Sequence, residues 1–525
     1  MNDDFTERLI HGVESWRDLE VTQQRDLMRQ FQSLANSSPD AIGSLIRALS
    51  KVDLVRLNSA QQLVSSFFAS LNNRIKSSDK QQETAAAASV SPRDISLLYR
   101  HLGQACAARY SLLAVLARIG SADSLAEFAE LILHDSPQTD KDVLTAFEPL
   151  FVKKDFDPAD LFPQLFGGLG QPKVASIVLD LANYVFRNGL TQMHPIADRL
   201  DQMRQLLGNL TSRLELLAEN PTRHAADAES IAEQVADATS LIISLCDSLA
   251  LANDYDSVEV LLKAASVPHR RIRVEAFAAL AKMGNEKGKR QLIALTSEPS
   301  IRLRALEYAK ELDFLDEIDP QYLTDASLAE SRLAMWLGQP TQMGIPPTRL
   351  ELIDQRTQYW PGYDDPVDCF LFRFFYSLGG GEYSNIGSSG PATHAFLADL
   401  ADLPVNQIYA AFAGWQAEHE EIEQFDPLDL NPHYETDLSR LQRRLNDRGY
   451  EMIEPKIFGR FFGQNVLVAI AAKEQHSGIA IVGNECEMWF PQRHSRNPLS
   501  PEEAYCIYKG QQLLQAFNPE TLDES

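Results

Sequence analysis

The residues with the most evident capacity for chemistry lie in one glycine-rich stretch, Gly379 to His394. Backbone amides at a helix N-terminus hold anions, and Pro391 stands where a first helical position is expected. Gly380, Gly381, Ser388, Ser389, Gly390, Thr393 and His394 therefore form the candidate ligand-binding set, offering free amides, hydroxyls and an imidazole near one helix start. The spacing is not that of a P-loop, because no Gly-Lys-Ser/Thr follows. Nor is it a dinucleotide fingerprint, and Gly387-Ser388-Ser389-Gly390 is one residue short of a nucleophile elbow. No lysine or arginine lies between Leu378 and Leu400, so at most weak binding of a phosphate or carboxylate is expected. A structural connector ranks above it.

A second cluster runs from Glu418-His419-Glu420-Glu421 to Glu423, with Asp426, Asp429 and His433 beyond. On a helix, His419 and Glu423 would share a face at i, i+4, a spacing able to hold a metal. No His-Glu-x-x-His is present, acidic helix ends are usually solvated, and no metal or cofactor is expected. The five cysteines, Cys106, Cys246, Cys369, Cys486 and Cys506, form no Cys-x-x-Cys. Cys486 or Cys506 beside His476 or His494 would make a nucleophile pair, but buried inert thiols are commoner. Few cysteines in a long chain point to reduced thiols and a cytoplasmic setting.

The elements that must position these residues are mostly helical. In 525 residues, 44% are hydrophobic and 23% charged, the composition of a globular chain with several domains. The formal net charge of −25 disfavours nucleic acid and anionic membrane surfaces. The first residues, Met-Asn-Asp-Asp-Phe-Thr-Glu-Arg, lack the apolar segment of a secretory signal. The longest plain apolar run, Val466 to Ala472, is too short to span a bilayer, so no membrane insertion is expected.

One internal repeat stands out. Arg270 to Gly284 and Ile301 to Asp313 are copies of one pattern: Ile272 matches Ile301, Arg273 matches Arg302, Val274 matches Leu303, Ala276 matches Ala305 and Met283 matches Leu312. A third copy, Ala108 to Gly120, aligns Arg109, Leu116, Arg118, Ile119 and Gly120 with Arg273, Leu280, Lys282, Met283 and Gly284. Val274, Phe277, Ala278 and Ala281 keep i, i+3, i+4, i+7 spacing. Ala276, Ala279, Leu280 and Met283 make a second set, so the apolar arc is wide enough to meet a hairpin partner and a stacked neighbour. Gly284 stands at a C-cap.

These residues resemble HEAT-like repeats, including those of phycobilisome-lyase-like proteins. The resemblance is clear for Arg271 to Asp313, fair for Ala108 to Pro137 and diffuse elsewhere. It implies a helical solenoid acting as scaffold or adaptor and, for a minority of such proteins, help with chromophore attachment. In such repeats the arginine serves polar packing between repeats. Arg270 and Arg271 are the candidate partner contacts.

The expected fold is mostly α: an N-terminal helical segment over 1–76, a linker over 77–91, a HEAT-like α-solenoid over 92–343, and a C-terminal α+β domain over 348–525. The C-terminal sheet is expected to be small and antiparallel, with strands at Lys456 to Phe462, Asn465 to Ala472, Gly478 to Val482 and Glu487 to Phe490. Helices are expected at Pro391 to Leu400, Val405 to Glu423, Thr436 to Arg448 and Pro501 to Phe517. The expected function is a non-catalytic protein–protein interaction scaffold, with another protein, basic or neutral at the contact, as partner. The alternative is an enzyme or small-ligand-binding C-terminal domain, using the 379–390 loop, with the solenoid as targeting arm.

Overall fold

The computed structural model describes residues 2–35, 39–75, 90–104, 106–219, 228–379, 381–484, 486–492 and 497–518. The linker expected over 77–91 lies outside the described residues except at its last two positions. The chain divides into two compact units, Met1–Gln291 and Leu292–Ser525. The protein is mostly helical, and its C-terminal region carries antiparallel sheets.

The first unit is built of helices whose starts and stops are legible in the chain. Ser91 caps Pro92–Leu102 by accepting the Asp94 amide, with Pro92 in the first turn. Ser121 and Thr139 cap Ala122–His134 and Asp140–Val152 in the same way. Gly120 ends Tyr110–Ile119 in the left-handed region, a conformation that costs glycine little. Alternate helices touch in sequence: Gln61–Ile75 meets Tyr110–Ile119, which meets Asp140–Val152, then Pro172–Arg187, Ala228–Leu251 and Arg270–Lys282. Pro92–Leu102 and Ala122–His134 pair beside this row, as do Leu200–Glu219 and Val258–Ser266. A helix in the row meets neighbours on more than one side, which is why its apolar arc is wide.

Ala228–Leu251 illustrates the point. Its segment Glu229–Leu251 is long and apolar enough to cross a membrane by length and composition. Yet Leu241, Ile242, Leu245, Cys246 and Leu249 are buried and the helix packs on Pro172–Arg187 and Arg270–Lys282. A polar network, buried at Asn183, Ser244 and Ser248, joins two of these helices. The Ser244 hydroxyl donates to Asp180, the Ser248 hydroxyl donates to Asn183, and the Asn183 amide donates to the Ser244 carbonyl.

In Arg270–Lys282, Leu280 is fully buried and a Cβ on Gly288 would lie 2.4 Å from the Leu280 Cβ. Leu280→Ala is therefore expected to cost about 2–5 kcal/mol, read as a lower urea midpoint. An unchanged midpoint would mean that this face carries no packing. Arg273, half-buried, should cost less when truncated.

The second unit is layered. Sheet A has strand order β1 (Arg349–Gln358), β2 (Val367–Leu378), β3 (Gly381–Ser389) and β4 (His394–Ala395). Sheet B has β5 (Ile422–Phe425), β6 (Glu451–Phe461), β7 (Gln464–Lys473), β8 (His476–Gly483) and β9 (Glu487–Pro491). Neighbouring strands in both sheets pair antiparallel. The strands expected between Lys456 and Phe490 form, joined by tight turns at Phe462-Gly463 and Glu474-Gln475, whose φ values are positive. The single small sheet expected from the sequence is corrected to two sheets.

Side-chain alternation explains the layers. On β2, Phe370, Phe372, Phe374 and Tyr376 face Ala329, Leu333 and Leu337 of the helix Asp325–Leu337. Cys369 and Leu371 face the other way, towards the helix Val405–Gln416. On β7 and β8, Val466, Val468, Ile479 and Ile481 join that same helical layer. Leu467, Ala469, Ala480 and Val482 instead meet Leu441 and Leu445 of Pro432–Asp447. The central strands β2, β7 and β8 are covered on both faces, so they read as near-continuous apolar runs. The shared middle layer is Val405–Gln416 packed on Pro501–Phe517. Ile408 through Gly414 are all buried, as expected for a helix enclosed on every side.

Candidate functional site

The glycine-rich stretch is a hairpin and a strand, not a loop leading to a helix. β3 pairs with β2 along its whole length and with β4 at Gly387 and Ser388. Many of its backbone groups therefore already serve the ladders. The helix expected from Pro391 to Leu400 does not form. Buried Asn385 holds this segment instead. Its amide donates to the Phe396 and Ala398 carbonyls at 3.1 and 2.8 Å, and its oxygen accepts the Leu400 amide at 3.2 Å. These bonds tie up backbone groups that a helix would need, and they fix 396–400 as irregular chain. No helix N-terminus stands at Pro391 to aim amides at an anion.

The candidate residues there are dispersed. Gly380 lies outside the described residues, and Gly381 is exposed at the start of β3. Ser388 is buried and donates to the Ala392 carbonyl at 3.1 Å. The Ser389 hydroxyl is buried without a hydrogen-bond partner. It lies opposite Phe370, on the face that packs against Asp325–Leu337. Gly390 has φ +125°, and a Cβ there would lie 2.3 Å from the Asp368 carbonyl. Thr393 is half-buried. His394 stacks face to face on Trp415 with centroids 3.9 Å apart, edge-on to Trp336 and Phe396. Burial pushes its imidazole down to about 4, so the ring is neutral at pH 7. It contributes an aromatic contact.

The acidic cluster is likewise rearranged. The helix expected from Val405 to Glu423 stops at Gln416, and Ile422–Phe425 is β5. The segment after Gln416 offers Ile422 and Phe425 to the neighbouring strand but no apolar stripe at helical spacing. His419 and Glu423 therefore do not share a helix face. His419 Nδ1 accepts the Glu421 amide at 3.1 Å, and its ring lies 4.9 Å from Phe462. Glu423 pairs with Arg460 across the strands at 3.3 Å. Among the described residues, no group of three His, Cys, Asp or Glu side chains is placed to hold a metal. Burial raises the thiols of Cys369, Cys486 and Cys506 above their ordinary value. They are protonated at neutral pH and weak as nucleophiles. His494 lies outside the described residues.

The repeat arginines have defined partners. Arg109 is fully buried and sends both terminal nitrogens to Asp135, at 2.7 and 3.0 Å. Its guanidinium lies over the rings of Tyr99 and Tyr110. Arg302 is buried too. Its Nε donates to the Thr296 carbonyl at 2.6 Å, and its Nη1 reaches the Ser327 carbonyl and Glu330, both at 2.7 Å. Each arginine thus ties its own helix to the end or the start of another. Arg270 is half-buried and Arg271 exposed.

A row of cross-helix charge contacts runs along the first unit, which the sequence did not announce. Arg118 donates to Asn72 at 2.6 Å and lies 3.8 Å from Glu148, joining three successive helices of the row. Lys173 reaches Asp140, Glu233 and Asp237 at 3.7, 2.7 and 3.1 Å. Asp247 is shared by Arg187 and Lys282. The signal in the chain is faint: single charges on apolar helices, with partners 30 to 64 positions away. Along Asp140–Val152, Leu144, Glu148 and Val152 follow at i, i+4, i+8 and are exposed at 61%, 56% and 57%, so two aliphatic side chains flank the Glu148 contact on one open stripe. No known protein family matches the chain, and no curated protein matches it.

Proposed function

We propose that the chain is a non-catalytic scaffold for protein–protein interaction, whose helices over 92–343 form a HEAT-like α-solenoid acting in the cytoplasm. The observation that supports this reading best is the row of helices touching in sequence and bridged by Arg118, Lys173 and Asp247. Stacked hairpins offer an extended surface of this kind. The exposed stripe Leu144–Glu148–Val152 is its most apolar open part on Asp140–Val152. A partner docking there would bury the two aliphatic side chains and meet the neighbouring carboxylates with a basic or neutral surface. The net charge of −25 argues in the same direction and against nucleic acid. Arg270 and Arg271 stay candidate contacts at the start of the last helix of the row.

The test is affinity capture with the full chain, followed by mass spectrometry, comparing wild type with Leu144→Glu/Val152→Glu. The expected result is a partner lost from the double variant and weakened by added salt, since exposed ionic contacts are screened. An unchanged set of captured proteins from a folded double variant would count against docking at this stripe.

A further inference from the structure

The sheets of the second unit end in β1, β4, β5 and β9, and these edges are not alike. An edge strand presents backbone N–H and C=O groups that can pair with another chain, and proteins blunt such edges by keeping them short, by proline or by cover. β4 is two residues long, and the chain after it, 396–400, is tied down by Asn385. β5 has four residues, and β9 has five and ends in Pro491. β1 has ten residues, without proline or lysine. Among the described residues it pairs only with β2. It is exposed or half-buried as far as Thr357.

The side chains of β1 are ordered so that the strand fits a second copy of itself. A bulge leaves Ile353 out of the ladder, because Leu352 pairs with Phe372 and Asp354 with Leu371. Glu351, Asp354, Arg356 and Gln358 therefore share the face towards Val405–Gln416, where Arg356 lies over the Tyr409 ring. Leu352, Gln355 and Thr357 share the other face. Two copies of an edge strand meeting about a two-fold axis run antiparallel, with the same patch on each. With the axis at Gln355, Asp354 of each copy lies opposite Arg356 of the other, Leu352 opposite Thr357, and Glu351 opposite Gln358. An axis at Glu351, Asp354 or Arg356 sets that charge against itself. An axis at Leu352 opposes Arg349 to Arg356 and Glu351 to Asp354. Like charges directly opposite one another destabilise a strand pair, so the register centred on Gln355 is the favoured one. Asp354 and Arg356 also pair within each chain, at 2.8 Å. That bond need not break, because the register rests on avoiding opposed like charges and not on free ones.

We propose that two copies of this chain pair through β1, antiparallel and centred on Gln355, so that their A sheets become continuous. The backbone groups of the open edge supply the attraction, and the side chains set the register. A pairing this short buries little area, so the association is weak, in the micromolar range. The inference goes beyond the scaffold reading and does not depend on it.

The test is sedimentation equilibrium of the full chain over micromolar concentrations, with Gln355→Lys, Gln355→Glu and an equimolar mixture of the two. Gln355 is exposed, so both substitutions should leave the fold intact, which circular dichroism checks. Wild type should pass from one chain mass towards two as its concentration rises. Each variant alone should dimerise about fivefold more weakly, because like charges face each other at the axis. The mixture should recover the association of wild type, because lysine then faces glutamate. The proposal is overturned if wild type keeps one chain mass at about 100 μM, well above a micromolar Kd, which would leave the edge to an extended segment of a different protein. It is overturned equally if both variants dimerise like wild type, or if the mixture associates as weakly as its parts.

Discussion

Gly510→Ala is expected to destabilise the protein by about 3 kcal/mol or more, although alanine is the better helix former. On an open helix face the same change would stabilise by up to about 1 kcal/mol. Position 510 is not open. A Cβ there would lie 1.8 Å from the Ala410 carbonyl oxygen and 2.7 Å from the Gly414 amide. Across the same contact, a Cβ on Gly414 would lie 1.9 Å from the Cys506 carbonyl oxygen. These obstacles are backbone atoms, which no rotamer change can move. The helices Val405–Gln416 and Pro501–Phe517 must separate to admit the methyl group. They form the layer that both sheets share, so separation disturbs Ile408 and Phe412 on one helix and Tyr505 and Tyr508 on the other, all fully or nearly fully buried. Overpacking in cores costs about 1–3 kcal/mol when side chains can adjust. A backbone clash stands at or above the top of that range. Urea denaturation of the full chain, followed by far-ultraviolet circular dichroism, gives the readout. A midpoint equal to or above that of wild type would show that the helices do not approach this closely.

That close approach is invisible in the sequence, where nothing near Gly414 or Gly510 marks the other as its partner. What could be read was whatever a residue decides with its near neighbours. The four strands expected between Lys456 and Phe490 carry apolar runs and form, the first of them beginning earlier, at Glu451. Pro501–Phe517 is announced by Ser500, Pro501 and Glu503, a complete capping box. The failures have longer-range causes. β1, Arg-Leu-Glu-Leu-Ile-Asp-Gln-Arg-Thr-Gln, is an edge strand exposed for most of its length, so it lacks the apolar alternation of a half-buried strand. Pro391 to Leu400 has a plausible helical start, but a side chain from β3, Asn385, takes over its backbone bonds. The candidate anion site depended on that helix start. The pocket lined by Asp399, Ile470 and Phe490 unites separate parts of the chain, and no local pattern could have joined them.

Lowering the pH from about 7 to about 4 is expected to remove roughly 3 kcal/mol of stability through His194 alone. His194 is 4% exposed. Its Nε2 donates to the Asn183 side-chain oxygen at 3.0 Å, and its Nδ1 accepts the Ile196 amide at 3.3 Å. The neutral imidazole meets both needs, whereas a second proton would remove the acceptor at Nδ1. Burial, with a smaller push from the Arg187 charge, holds the group down to about 4. In the unfolded chain the usual value is about 6.5. The folded value is the lower one, so the unfolded chain takes up the proton first as pH falls. The contribution is complete above about 6.5 and is lost progressively down to about 4, and the gap between the two values corresponds to roughly 3 kcal/mol. His394, also held down to about 4 by burial, acts in the same direction. Asp180, raised by burial, acts in the opposite direction, because its folded state binds a proton more readily than the unfolded chain. His194→Gln keeps a side-chain donor towards Asn183 and does not titrate. Urea midpoints at about pH 7 and about pH 4 should therefore fall further apart for wild type than for His194→Gln. Equal separations would mean that the imidazole takes up its proton in the folded protein without penalty.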